Sequence, residues 1–225
     1  MDYLIKKNVL IENEFVVTSE NVLKAIDETN KFIKELPESL FRSIDYKTTG
    51  SVMGALFCDK LVKQIDGAMV NPIEKGHPDI IPSRGSSATE EQLRNYPVGL
   101  EIKGTIGGIV QGSNLRAGQR RINSLTGITW QAHHREVTQL MSFLWDFNLQ
   151  YNNFLYPSIV GVFHSSELCQ DDWGEISGTE GRNTKVSGML ASGKIKMGKG
   201  WIILLNKKEY LDKIQNYLHI ESITE

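Results

Sequence analysis

The stretch VGLEIKGTIGG, residues 98–108, carries the clearest strand pattern in the chain. Leu100 and Ile102 alternate with Glu101 and Lys103, so the apolar side chains leave one face of a strand and the charged side chains leave the other. Burying charged groups costs several kcal/mol per ion unless they pair or bind a ligand. The stretch therefore predicts a sheet and, on it, a polar site.

A second acid lies in an apolar run upstream. In EKGHPDIIPS, residues 74–83, Asp79 stands between two prolines and next to two isoleucines, which predicts a short strand with an acid at its end. Between the two strands, Ser87 and Glu90 have the capping-box spacing of a short helix. We expect Asp79, Glu101 and Lys103 to converge at one edge of the sheet.

Carboxylates from two strands suit a hard cation. Mg²⁺ keeps several waters and binds through one or two protein carboxylates together with substrate phosphate oxygens. A lysine beside such a cation can orient water and neutralise charge that develops on a phosphorus centre. The pattern predicts a Mg²⁺ site at Asp79 and Glu101, with Lys103 next to it.

Apolar periodicity predicts the elements on either side of this unit. They are a helix over 19–36 capped by Ser19, a helix over 50–66, strands over 136–147 and 156–166, and a final strand and helix over 199–218. Segment 136–147 also fits the extension of a helix. The polar segment 111–127 predicts a loop with a short helix that places Arg116 and Arg120 on the same side. The fold class is α/β, a central mixed sheet flanked by helices.

Composition limits the class of protein. The 225 residues are 40% hydrophobic and 23% charged, which is ordinary for a globular protein and sufficient for one large domain. Cys58 and Cys169 are far apart, which argues against a disulfide framework or a zinc ribbon. No apolar run approaches the ~18 residues of a membrane span, and charges interrupt the start too early for a signal peptide. We expect a cytoplasmic, prokaryotic protein with no membrane partner.

Charge is segregated along the chain although the net charge is only −2. Residues 104–135 contain four arginines and no acid, and residues 182–208 contain seven bases and no acid. Local basic patches of this kind favour a polyanionic partner. The alternative, an ordinary solvated surface, applies most to Lys207 and Lys208.

Pro78–Asp79 and the run Glu101–Lys103 resemble the motif of the PD-(D/E)XK nuclease superfamily. Over about residues 50–165 the chain is similar to a type II restriction endonuclease. The resemblance implies a restriction-endonuclease-like core and one nuclease domain over residues 1–225, with a helical part to about 70, a catalytic core over about 71–165 and a basic part from about 166.

The resemblance also implies roles for individual residues. Asp79, Glu101 and Lys103 would be catalytic. Asp79 and Glu101 would be metal ligands with the Ile102 carbonyl as a candidate further ligand, and Lys103 would position or activate the attacking water. The reaction would be Mg²⁺-dependent hydrolysis of double-stranded DNA to 5′-phosphate and 3′-hydroxyl ends. Members often add an acid from the helix before the first motif strand. Asp59 is the first choice for this acid, and Glu74, Glu38 and Glu35 are further candidates. The alternative for Asp59 is an exposed helix residue beside Lys60 and Lys63.

Base reading needs forked donors and amides, because arginine pairs with guanine and asparagine or glutamine with adenine. The candidates lie in the basic segments: Gln111, Asn114, Arg116, Gln119, Arg120, Arg121, Arg182, Asn183 and Lys185. His133 and His134 are adjacent and lack the i, i+4 spacing of a metal pair, so a contact to DNA phosphate or plain surface is expected. His77 either touches the site or makes a structural hydrogen bond.

Together with the basic segments, the resemblance implies a Mg²⁺-dependent, sequence-specific endonuclease that acts as a homodimer on palindromic double-stranded DNA. One alternative is a repair or junction nuclease of the same superfamily that recognises DNA structure. The other is a non-catalytic DNA-binding protein in which Asp79, Glu101 and Lys103 only form a buried ionic cluster.

Overall fold

The computed structural model describes residues 1–7, 9–110, 115–132, 135–178, 186–220 and 223. The strands in this part of the chain are β1 (Tyr3–Ile5), β2 (Leu10–Glu12), β3 (Val16–Thr18), β4 (Ala68–Val70), β5 (Ile80–Pro82), β6 (Glu101–Thr105), β7 (Gly108–Ile109), β8 (Leu125–Gly127), β9 (Gln131–Ala132), β10 (Leu140–Tyr151), β11 (Phe154–Ser165), β12 (Ser187–Gly188) and β13 (Trp201–Leu205). The helices are α1 (Ser19–Ile33), α2 (Glu38–Ser43), α3 (Tyr46–Val62), α4 (Glu90–Arg94), α5 (Ala191–Lys199) and α6 (Lys208–Leu218).

Five of the described strands form a central mixed sheet in the order β1, β13, β11, β10, β6. Strands β6 and β10 are parallel and the other neighbours are antiparallel. The predicted α/β class, with a mixed sheet flanked by helices, is confirmed. The sheet draws on the whole chain, because β13 from the C-terminal part lies between β1 and β11.

The long hairpin of β10 and β11 is the centre of the sheet. Every residue of LMSFLWDF in β10 is buried, since layers cover both faces of the sheet. Phe143 and Trp145 pack into the core that contains α1 and α3, whereas Leu140 and Leu144 pack into the core that contains α6. The predicted strand is confirmed, and the helical alternative for this segment is wrong.

The first long helix, α1, begins one residue before the expected position. Thr18, not Ser19, is the N-cap: its side chain accepts the Asn21 N–H, and the Asn21 side chain accepts the Thr18 N–H. Ser19 is the first helical residue and is buried. Helix α1 ends at Ile33, three residues short of the predicted end, and α3 starts at Tyr46 after an Asp45 cap.

The short helix α4 separates β5 from β6 as predicted, but its cap is different. Thr89 is capped reciprocally with Gln92, whereas Ser87 belongs to a 3-10 turn. The predicted short helix around Arg116 and Arg120 is wrong for the described residues 115–121, which contain a turn at Gly118. Gly118 has φ +75° and its α-carbon faces the Phe154 ring.

Asp146 of β10 anchors the polar loop and α6 to the sheet. Its buried carboxylate accepts the Arg121 N–H at 2.8 Å, the Ile122 N–H at 3.0 Å and the Tyr210 hydroxyl at 2.8 Å. Burial raises the pKa of Asp146, and the backbone N–H bonds oppose that shift. This network determines where the loop after β7 sits on the protein.

Among the described helices, none combines the length and the apolar character needed to cross a membrane.

Candidate active site

Asp79 directly precedes β5 and is held against β6. Ile80 and Leu100 form an antiparallel bridge with reciprocal backbone hydrogen bonds of 3.1 and 2.8 Å. The Asp79 carboxylate accepts the Ile102 N–H at 2.7 Å. Strand β5 pairs with β4 and is not part of the central sheet, so this bridge and this hydrogen bond bring the two motif segments together.

Asn71 fixes the backbone around Asp79 from the other side. The Asn71 N–H donates to the Asp79 carbonyl at 2.8 Å, and its side-chain amide donates to the Pro78 carbonyl at 3.1 Å. Gly76 is required here, because a β-carbon on it would come within 2.4 Å of the Asn71 side chain. The carboxylate is therefore presented by a rigid segment.

Glu101 and Lys103 project from the same face of β6, as the alternation predicts. The Glu101 side chain is buried, and its Oε1 lies 3.1 Å from Lys103 Nζ. Its Oε2 lies 3.3 Å from His77 Nδ1. The structure thus brings Asp79, Glu101 and Lys103 together and adds His77 to the group.

The electrostatics of the group show an excess of buried negative charge. Burial and then the charge of Glu101 raise the pKa of Asp79 to about 6, while the Ile102 N–H, Lys103 and His77 act in the opposite direction. Burial, together with Asp79 and Glu101, raises the pKa of Cys58 on α3. A cation between the carboxylates would relieve this repulsion.

The site offers only a few protein ligands for Mg²⁺. Across the described residues there is no cluster of three or more His, Cys, Asp or Glu side chains arranged to hold a metal. Asp79 and Glu101 are two carboxylates, which suffice for a cation that keeps its waters. In a strand the N–H and C=O of one residue face the same edge, so the Ile102 carbonyl is also directed to the Asp79 side.

The group opens into a cleft of about 1020 Å³. One wall is the small-residue face of α3, including Gly50 and Gly54, and Trp130 lies in the lining. Asp79 and Lys103 line the cleft directly. This volume exceeds what a single phosphate needs and is in the range of sites for larger ligands.

Of the four acids considered as an additional ligand, Asp59 is the one that lines the cleft. Its carboxylate is paired with Lys63 at 2.8 Å and Lys60 at 3.2 Å and is 44% exposed. The hydrogen bond from Lys63 is the main reason that its pKa is lowered. Asp59 therefore has the surroundings of an exposed helix residue that borders the cleft, while Glu74, Glu38 and Glu35 are exposed elsewhere.

Comparison with protein-family models, with curated proteins and with solved structures finds no match for this chain. The resemblance to PD-(D/E)XK nucleases therefore rests on the motif residues of the sequence and stays a prediction.

Several residues predicted to bind DNA lie outside the described part of the chain: Gln111, Asn114, His133, His134, Arg182, Asn183 and Lys185. The described residues next to two of these segments, Ala132 and Val186, line the cleft. Strands β9 and β12 pair antiparallel, with Ala132 opposite Ser187. Ala132 and Val186 thus lie at the border of the cleft.

The predicted DNA-binding residues that the structure describes in the loop after β7 differ in exposure and contacts. Arg116 and Gln119 are exposed, and the Gln119 side chain accepts the Arg116 N–H at 3.2 Å. Arg120 pairs with Glu209 and lies over the Tyr210 ring. Arg121 is 5% exposed and lies over Phe147, so a role in base reading is not supported for it: its guanidinium would have to leave the core to reach a groove.

Two residues of the site had weak or no sequence signals. His77 stands two positions before Asp79 in the sequence. That position left two alternatives, a contact with the site or a structural hydrogen bond. Cys58 lies 21 residues before Asp79 on a helix, and nothing local indicates which face of α3 points to the carboxylates. Its proximity depends on how α3 packs against β6.

Proposed function

We propose that this chain is a Mg²⁺-dependent endonuclease with a restriction-endonuclease-like core that hydrolyses double-stranded DNA at a specific sequence. The supporting observation is that the Asp79 carboxylate accepts the Ile102 N–H at 2.7 Å, at the border of the cleft where Lys103 pairs with Glu101 at 3.1 Å. Two strand segments separated by a helix thus bring Asp79 and Lys103 into the lining of one cleft, with the buried Glu101 paired to Lys103.

Each residue has a defined task in the proposed reaction. Asp79, Glu101 and the Ile102 carbonyl would hold Mg²⁺, which supplies charge neutralisation at the scissile phosphate. Lys103 donates hydrogen bonds from its ammonium to the attacking water and stabilises charge on the phosphate. The hydrogen bonds from Asn71 to the Pro78 and Asp79 carbonyls hold the backbone of Asp79, so this ligand needs little reorganisation.

Polar residues in three segments of the chain are suited to DNA contact. Arg116 and Gln119 are exposed in the loop after β7, and the segments attached at Ala132 and Val186 carry further arginine, asparagine and histidine side chains. A two-fold dimer would place one cleft on each strand of a palindromic target, with matching symmetry of protein and DNA. A cytoplasmic, prokaryotic setting belongs to the same proposal.

Digestion of a sequenced plasmid tests the function. We expect discrete, Mg²⁺-dependent fragments whose ends carry 5′-phosphate and map to one recognition sequence. Lys103→Ala and Asp79→Asn should keep DNA binding and lose cleavage. Full cleavage by either variant would refute the assignment, and cleavage confined to branched or damaged DNA would favour a repair or junction nuclease.

The contacts of Glu101 favour one second candidate, a non-catalytic DNA-binding protein. Glu101 is matched by Lys103 and His77, so the cluster can stabilise the fold as a buried ionic network. In that case Lys103→Ala lowers stability because it leaves a buried carboxylate without its partner, and no cleavage accompanies DNA binding by the original chain.

A further inference from the structure

Glu101 uses its two carboxylate oxygens differently. Oε1 is 3.1 Å from Lys103 Nζ, and Oε2 is 3.3 Å from His77 Nδ1. The carboxylate is buried, so water has little access to either oxygen. A cation that binds Glu101 therefore competes with one of these two partners for a carboxylate oxygen.

Lys103 is the partner that has to move. On the proposed mechanism its ammonium acts on the attacking water, so it turns from Glu101 Oε1 toward the cleft, which it already lines. A carboxylate that then lacked a second contact would rotate about its side-chain torsions. His77 is the described residue that holds the other oxygen.

The backbone of His77 is fixed independently of Glu101. Its N–H donates to the Arg94 carbonyl at 3.2 Å, and its carbonyl accepts the Tyr96 N–H at 2.7 Å. The imidazole thus projects from a segment tied to the end of α4 and the residues after it. An anchor of this kind can orient a neighbouring side chain without moving itself.

We propose that His77 is a positioning residue that holds Oε2 of Glu101 and thereby presents Oε1 to a divalent cation. The inference rests on the proposed Mg²⁺ site. It assigns to His77 the part that outer hydrogen-bond partners play at metal centres, where loss of one partner costs about 10- to 100-fold in metal affinity. His77 itself need not contact the cation or the DNA.

The chemistry of the contact selects the variants. A carboxylate only accepts hydrogen bonds, so His77 Nδ1 must carry the proton that it donates to Glu101. Asparagine can place an amide N–H near the position of Nδ1, whereas alanine has no donor. His77→Asn is therefore the conservative variant and His77→Ala the deletion.

The test measures Mg²⁺ binding by the DNA-free protein, by calorimetry and by thermal shift over a Mg²⁺ titration. We expect His77→Ala to weaken Mg²⁺ binding by about 10-fold and His77→Asn to stay within about 3-fold of the original chain. In cleavage assays, His77→Ala should raise the Mg²⁺ concentration for half-maximal rate while the rate at saturating Mg²⁺ stays within a few-fold.

The outcomes separate this inference from the function. If His77→Ala lowers thermal stability but leaves Mg²⁺ binding unchanged, His77 has only a structural role and the inference is overturned. If Mg²⁺ binds in a His77-dependent manner but no DNA is cut, the inference holds and the nuclease proposal fails. If the original chain binds no Mg²⁺, both are overturned.

Discussion

Replacing Asp79 with asparagine tests the buried carboxylate pair through stability. The pKa of Asp79 is raised from 3.8 to about 6, first by burial and then by Glu101. At about 1.36 kcal/mol per pH unit, ionised Asp79 costs the folded state up to about 3 kcal/mol relative to the unfolded chain. Asparagine removes this cost and can still accept the Ile102 N–H through its side-chain oxygen.

The sign of the effect depends on pH. A carboxyl with a raised pKa in the folded state destabilises the protein once it is ionised there, so the cost is present above about pH 6 and fades as pH falls toward 4. In EDTA at pH 7.5 we expect Asp79→Asn to be more stable than the original chain by about 1–3 kcal/mol. At pH 4 the difference should be small.

Magnesium should offset most or all of this stability difference. A ligand at 100 times its Kd stabilises the folded state by about 2.7 kcal/mol, and this gain requires both carboxylates. Urea unfolding with and without Mg²⁺, followed by fluorescence, measures the four free energies of unfolding. Glu91→Gln is the matched control, since Glu91 is exposed on α4 and should change neither the stability nor the Mg²⁺ response.

Two results would refute the reasoning. If Asp79→Asn is less stable than the original chain in EDTA, the Asp79 carboxylate is stabilised by its neighbours and no charge excess exists. If Mg²⁺ stabilises both chains equally, the cation binds at a place that does not include Asp79.

Three further predictions concern other parts of the molecule. Lys103→Gln should reduce the cleavage rate by at least about 100-fold with DNA affinity nearly unchanged, as measured by single-turnover kinetics and gel shift; an unaltered rate would exclude Lys103 from the chemistry. Burial acts to raise the pKa of Asp172, but hydrogen bonds, led by the one from Lys196, hold it at about 2. The free energy of unfolding should therefore fall as pH drops from about 4 to 2. Asp172→Asn should flatten this pH dependence, as measured by urea titrations. Gly104→Ala places a β-carbon 2.5 Å from the Phe143 ring and should lower the free energy of unfolding by about 1–3 kcal/mol, which thermal unfolding would detect; an unchanged midpoint would mean that Phe143 moves freely.

Local sequence patterns were sufficient to predict an element where one feature dominated its segment. The alternation in residues 100–103 identified β6 and the common face of Glu101 and Lys103, because the side-chain period of a strand is two. The caps were missed by one or two residues at α1 and α4. Neighbouring Thr and Ser residues have similar capping propensity. At the observed N-caps, Thr18 and Thr89, the side chain of the third following residue accepts a hydrogen bond from the backbone N–H of the cap residue.

The sequence by itself determined the α/β class and the strand that carries Glu101 and Lys103. These depend on composition and on periodicities within a few residues. Only the tertiary structure decided that β5 meets β6 through one bridge, that Arg121 is buried over Phe147, and that His77 holds Glu101. Such contacts join residues 20 to 26 positions apart, and the packing of α3, α4 and the loop around Asp146 selects them, so no local pattern contains that information.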